Sequence, residues 1–159
     1  VPLVRLKDYI KPHHVKSTLW DVTSLYPYLR EEDKREVETL GLTSEMALCR
    51  AYLDSSVCRT IINGRGCPVA MFGVVPFGDF SGIVWMLGNK LLLQMKTAFL
   101  KECREEVIKL NNIYPHLFNM IDSRNEVHIR WIKWCGFKII GERIINNVKF
   151  YEFCRVAHV

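Results

Sequence analysis

The side chains that could do chemistry in this 159-residue chain are scattered, and their spacing excludes more than it suggests. Six cysteines stand at positions 49, 58, 67, 103, 135 and 154, with neither the close pairs of a zinc site nor a C-x-x-C redox motif. Cys135 precedes Gly136-Phe137 at a core-like helix end, a poor place for a nucleophile. His13 and His14 are adjacent and have no partner at metal spacing, so they read as surface residues in a turn-like Lys11-Pro12-His13-His14. No G-x-S-x-G elbow presents a serine. His128 titrates in the range useful to a proton carrier, but a histidine in a helix is more often on the surface. Asn125 opens the same helix, where its side chain suits capping.

The elements that must position these residues centre on Pro115 to Ile140. Leu117-Phe118-Asn119-Met120-Ile121 has strand length and character. Asp122-Ser123-Arg124-Asn125 breaks it, and Ser123 with Glu126 matches a capping box. In the helix that follows, Val127, Trp131 and Trp134 share a face with Ile132 beside them, while Arg130 and Lys133 face water. Gly136 ends the helix and Phe137 to Ile140 restarts a strand.

The flanking chain divides readily. Leu3 to Leu6 suits a first strand. Leu25 to Leu40 contains the first expected helix, with Glu31, Glu32 and Asp33 in its early turns at the favourable end of its dipole and Gly41 as the stop. A second helix, capped by Thr43 or Ser44, runs to Leu53, with Met46, Leu48 and Leu53 among its apolar positions. Residues 57–75 form a hairpin turning at Asn63-Gly64-Arg65-Gly66, and Ile83 to Leu87 is a buried strand. The longest helix spans Asn89 to Leu110, with Leu92, Met95, Phe99, Cys103, Val107 and Leu110 as its core stripe. A hairpin turning at Asn146-Asn147 closes the chain. Trp85, Trp131 and Trp134 are expected to pack sheet against helix, at least two of them in the core.

Composition sets outer bounds. Hydrophobic residues make up 49% and charged residues 25%, which is globular rather than disordered. One domain over 1–159 is the natural size. No apolar run reaches the roughly 20 residues of a membrane span. Charges at Arg5, Lys7 and Asp8 interrupt the start where a signal peptide would be apolar. The net charge of +5 is dispersed, without a recognition helix or stacking platform for a specific nucleic acid.

The segment from Asn125 through Gly136-Phe137 resembles the last conserved motif of the GNAT acyltransferase superfamily, N-x-x-A-x-x-x-Y-x-x-x-G-F. His128 stands at its Ala position and Ile132 at its Tyr position. Leu29-Arg30-Glu31-Glu32-Asp33 leading to Glu36-Val37, together with Val69 to Gly73 and Trp85 to Gly88, is similar to a narrower group, the small GNAT-like internal virion proteins of short-tailed phages. The resemblance spans roughly residues 25 to 155.

The resemblance implies an α+β fold, a mixed and mostly antiparallel sheet with helices on both faces, splayed between strands 4 and 5 to admit acetyl-CoA. Its pyrophosphate would lie at Leu87-Gly88-Asn89-Lys90, and Asn125 would bond the pantetheine arm or simply start its helix. The family's glycine-rich loop is reduced to Gly88, so the junction is either a trimmed phosphate cradle or an ordinary turn. Ile132 has no proton to give a leaving thiolate, and no catalytic residue is assigned. Two functions follow from the resemblance. One is an internal or ejected virion protein with degenerate catalytic features, in the virion or host cytoplasm, with virion or host proteins as partners. The other is an active N-acetyltransferase modifying a host or phage protein. A fold-only interaction module outside phages stands beside them.

Overall fold

The computed structural model describes residues 11–95 and 97–157. The strand expected at Leu3 to Leu6 lies outside them, as does the side chain of Phe99. Among the described residues seven strands form one sheet in the order β1-β2-β3-β4-β5-β7-β6. They are β1 (His13–Lys16), β2 (Val57–Ile62), β3 (Pro68–Phe77), β4 (Ser81–Gly88), β5 (His116–Asp122), β6 (Lys138–Ile145) and β7 (Val148–Val156). Every neighbouring pair is antiparallel except β4 with β5, which is parallel. The helices are α1 (Leu19–Leu25), α2 (Glu31–Thr39), α3 (Ser44–Asp54), α4 (Thr97–Ile113) and α5 (Glu126–Trp134).

The two sides of the sheet are covered by different helices. Successive strand residues point to opposite faces, so Met71 and Val74 of β3 serve different layers. Met71 packs with Val22, Leu25, Val37 and Leu48 from α1, α2 and α3. Val74 packs with Leu110 of α4, Leu117 of β5 and Phe153 of β7, with Ile129 and Ile132 of α5 against them. The mixed α+β class with helices on both faces is therefore observed.

Local sequence explains where the elements depart from expectation. The helix expected within Leu25 to Leu40 is α2, with Glu31, Glu32 and Asp33 in its first turn, and an additional short helix, α1, precedes it, separated because Pro27 lies in a 3-10 turn at Tyr26–Tyr28 and Arg30 is extended. Among the described residues three α-helices, not two, thus precede β2. Thr43 caps α3 by accepting from Met46 N at 3.1 Å, but Met46 and Leu53 are exposed and only Leu48 of the three is core. His13 and His14 lie in a strand rather than a turn, and His14 Nδ1 accepts from Arg59 Nε at 2.9 Å. The long helix starts at Thr97, not Asn89. Asn89 captures Leu91 N with its own Oδ1 and Leu92 N with its carbonyl, winding Lys90–Gln94 into a 3-10 turn.

Other signals hold. Gly136 has φ +91 and ends α5, with Phe137 N bonding back to Ile132 O at 3.0 Å in a Schellman arrangement. Asn146 and Asn147 have φ 47 and 63, the left-handed pair of a tight two-residue hairpin between β6 and β7. Trp85 and Trp131 are partly buried, whereas Trp134 is 47% exposed beneath the Arg104 guanidinium.

Candidate functional site

Parallel pairing between β4 and β5 lasts for three residue pairs, Ser81 with His116, Gly82 with Leu117 and Ile83 with Phe118. Beyond them the ladder stops, although both strands continue, β4 to Gly88 and β5 to Asp122. At the fork, the Asn119 side chain bridges to Val84 O at 2.6 Å in place of a backbone bond. Past that point the strands border a cavity of about 260 Å³. Its walls include Val37 and Ala47 from the α2–α3 side and Val107, Trp131 and Ile132 from the α4–α5 side, so the slot passes through the sheet. The lining is mostly apolar, as small-molecule sites tend to be.

An unpaired strand leaves backbone donors that need partners. Alternation shows which ones. Asn89 N bonds to Val69 O of β3, so Gly88 N points to the open side, where Asp33 Oδ2 accepts it at 3.0 Å. Ser123 N bonds to Lys149 O of β7, so Asp122 N also points to the open side, where Glu36 Oε1 accepts it at 2.7 Å. Asp33 and Glu36 lie three residues apart on α2, neighbours on one helix face. One helix therefore holds the ends of two diverging strands with two carboxyl groups.

The two braces have different surroundings. Asp33 is fully buried among polar groups: Asn125 Nδ2 donates to its Oδ1 at 3.2 Å, and His128 Nδ1 lies 3.5 Å from the same oxygen. Arg30, itself 1% exposed, donates from Nη2 to Asn125 Oδ1 at 3.2 Å, and its backbone N–H reaches Gly88 O at 2.9 Å. Glu36 has fewer polar contacts. Burial pushes its carboxyl up to about 8, and the nearby Asp33 and Asp122 add to the push against the pull of the Asp122 N–H. Burial likewise lowers His128 below the usual imidazole range, with Asp33 partly offsetting it. Asp122 is held low: burial opposes ionisation, but the Arg124 side chain and N–H outweigh it.

The residues singled out from sequence are dispersed around this slot. Leu87 lines it and packs in the α1–α3 core. Gly88 is needed for close packing, since a Cβ there would lie 2.9 Å from Val69 O. The N–H groups of Gly88, Asn89 and Leu91 are all engaged within the protein, and Lys90 begins the 3-10 turn. Asn125 is the N-cap of α5, yet its side chain makes no cap bond; it joins Arg30 to Asp33 instead. The Ser123–Glu126 box is accordingly not the start of α5. His128, expected on the surface, is 6% exposed, because the buried stripe of α5 runs through His128, Ile132 and Cys135 while Val127 and Trp134 face outward. Cys103 and Cys135 line the slot, but burial raises their thiols to about 12 and about 11, far from thiolate at neutral pH. Sequence reasoning missed Asp33 and Glu36 as braces; their spacing on one helix face was the available signal.

Three solved structures show how this geometry compares. A putative phosphinothricin N-acetyltransferase is similar with TM-score 0.68 and 11% identity, over 94% of this chain and 100% of that one. A GNAT-family acetyltransferase from Bacillus anthracis gives 0.67 and 12%, over 93% and 96%. The fold is that of the GNAT acetyltransferases. Spermidine N-acetyltransferase from Vibrio cholerae, solved with CoA and spermine, shares the GNAT fold with TM-score 0.62 and 7% identity, over 92% and 95%. No protein-family model and no curated protein sequence matches the chain. The β4–β5 fork is the expected splay, and Ile132 lines the slot. Among the described residues, no helix is long and apolar enough to cross a membrane.

Proposed function

We propose that this chain is a GNAT-fold protein without efficient acyl transfer, carried as an internal or ejected virion protein by a short-tailed phage. The observation that carries the chemical half is Ile132. It lines the slot at the motif position where a tyrosine would hand a proton to the departing thiolate, and an isoleucine has none. The strand-to-helix junction supports the same conclusion. Acetyl-CoA would find an apolar slot for its thioester arm, but its pyrophosphate, placed at Leu87, Gly88, Asn89 and Lys90, would meet Gly88, Asn89 and Leu91 N–H groups that are already engaged. Asn125, the proposed contact for the pantetheine arm, is tied to Arg30 and Asp33. The virion placement, and with it virion or host proteins as partners, draws on the resemblance of Leu29–Val37, Val69–Gly73 and Trp85–Gly88 to internal virion proteins.

A second reading, an active acyl-CoA-dependent N-acetyltransferase acting on a host or phage protein, is favoured by one feature. Glu36 lines the slot with a carboxyl that gains and loses its proton at about pH 8, a useful value for accepting a proton from an ammonium group.

Acetyl-CoA titration by calorimetry, paired with an assay for released CoA thiol in the presence of polyamines and lysine peptides, separates the two. The expected result is no thiol release above the protein-free control. Release proportional to protein concentration, and abolished in Glu36→Gln, would overturn the degenerate reading. Peptide mass mapping of purified virions tests the placement, and absence of this chain's peptides would count against it.

A further inference from the structure

At the end of the sheet away from the fork, the first residues of β4 and β5 form a second pair that could do chemistry. Ser81 Oγ and His116 Nδ1 are 3.0 Å apart, within the range of a nucleophile and its base. The two residues face each other in the short parallel ladder, and the register continues the row across four strands. Phe77 of β3 lies opposite Ser81, and Val156 of β7 lies opposite His116. Directly opposed residues share one face of a sheet, so the polar pair has an apolar side chain on either side. Those flanks are bare: Phe77 is 61% exposed, Val156 58%, and Phe80, next to Ser81 in the turn, 73%. Exposed apolar side chains grouped around a polar centre mark a place of interaction.

The histidine is held in place by aromatic neighbours. Phe118 stacks on its ring with centroids 5.1 Å apart and planes 14° apart, and Phe77 meets Phe118 edge-on at 5.4 Å. Among the described residues His116 Nδ1 bonds to Ser81 and Nε2 makes no hydrogen bond. A neutral imidazole carries one proton. With that proton on Nε2, the Nδ1 lone pair accepts the Ser81 O–H, the arrangement in which a serine hydroxyl becomes a nucleophile. Ser81 and His116 are only partly buried, so a reagent can reach both.

We propose that Ser81 is an acyl-accepting nucleophile with His116 as its base, and that its substrate is an ester of an apolar, ring-bearing acid. Ser81 Oγ attacks the ester carbonyl. The bond from Oγ to the acyl carbon forms, and the bond from that carbon to the leaving oxygen breaks. His116 Nδ1 takes the hydroxyl proton and hands it to the departing oxygen, so an alcohol leaves and the acyl group stays on Ser81. Phe77 and Phe80 supply the surface against which the acyl ring packs. None of Phe77, Phe80, Ser81, His116 and Val156 borders the slot, so the site is separate from it and stands whether or not the slot takes a thioester.

The test is covalent labelling of the unaltered protein with phenylmethanesulfonyl fluoride, whose sulfur stands in for the acyl carbon and whose fluoride is the leaving group. Intact-mass spectra and peptide mapping should show one adduct per chain, on Ser81. Methanesulfonyl fluoride lacks the ring. With each rate divided by that reagent's own hydrolysis rate, it should label Ser81 about tenfold more slowly, the worth of partly burying a ring. His116→Gln keeps a hydrogen-bonding group beside Ser81 and removes the base. Its labelling should fall by about a hundredfold or more, with near-UV circular dichroism matching the parent. No adduct, adducts spread over several serines, equal normalised rates for the two reagents, or a folded His116→Gln labelled as fast as the parent would overturn the proposal. The position of the adduct in the unaltered protein decides the matter even where the variant does not fold.

Discussion

The ends of β4 and β5 face the same problem and solve it with different chemistry. Each strand has lost the other as a neighbour, and each terminal N–H on the open side is taken by an acidic side chain of α2. Asp33, at the β4 end, is embedded among Asn125, His128 and the buried Arg30 network, so it is tied to several groups at once. Glu36, at the β5 end, is pushed by burial to hold a proton up to about pH 8. The β4 brace is therefore a hub whose loss is felt widely, and the β5 brace is a single contact whose strength varies with pH. A parallel strand pair can be forked and kept forked when a neighbouring helix supplies the missing acceptors.

Substitutions that break this contrast should fall in a definite order. Asp33→Ala should cost most, about 3 kcal/mol or more in chemical denaturation, since it strips partners from Gly88 N and Asn125 Nδ2 in a fully buried place. Asn125→Ala should cost about 2 kcal/mol by removing the link between Arg30 and Asp33. If Asn125 worked only as a helix cap, the loss would be nearer 1 kcal/mol and Arg30 would be unaffected.

Glu36→Gln should sharpen the contrast through pH. Burial pushes the folded carboxyl up to about 8, from an ordinary value of 4.5. Between those values the native state keeps a proton that the unfolded chain has released. Its stabilising contribution is thus complete below about pH 4.5 and is lost as pH rises through about 8. Glutamine has no such titration. Urea midpoints should be nearly equal for the two proteins at pH 5, and at pH 9 the variant should be more stable, by about 1–3 kcal/mol. A variant less stable at pH 9 would mean that the ionised carboxylate is the favoured brace.

The smallest effect should come from outside the fork. Asn147 has φ 63 in the β6–β7 hairpin, so Asn147→Gly should stabilise by about 0.5 kcal/mol without changing the exchange of any slot residue.

What could be read in the sequence was mostly local. Gly41 and Gly136, the cap at Thr43, the Asn146-Asn147 turn and the strands flanking them each depend on a few adjacent residues, and each stands where expected. The fork was accessible only by resemblance, since nothing in Ile83–Leu87 or Leu117–Ile121 says that two apolar strands should part. The polar hub was hidden for a different reason. Asp33 meets Gly88 across 55 positions and Asn125 across 92, while Glu36 meets Asp122 across 86. Seen alone, Asp33 was one of three acids complementing a helix dipole, Asn125 was a cap, and His128 was a polar residue in an amphipathic helix. Local rules assign each its commonest use. Tertiary contact replaced the cap of Asn125 with a bridge and turned His128 inward. The start of α4 was misplaced because Asn89 competes for the backbone with its own side chain, a choice that apolar periodicity does not register.

The most direct test of the forked sheet is site-resolved amide hydrogen exchange at Gly88 and Asp122 in the parent, Asp33→Asn and Glu36→Ala proteins. Both amides should be protected in the parent, and Glu36→Ala should accelerate Asp122 while sparing Gly88. If Glu36→Ala leaves Asp122 as protected as before, that N–H is bonded across to β4, the strands are zipped to their ends, and there is no slot.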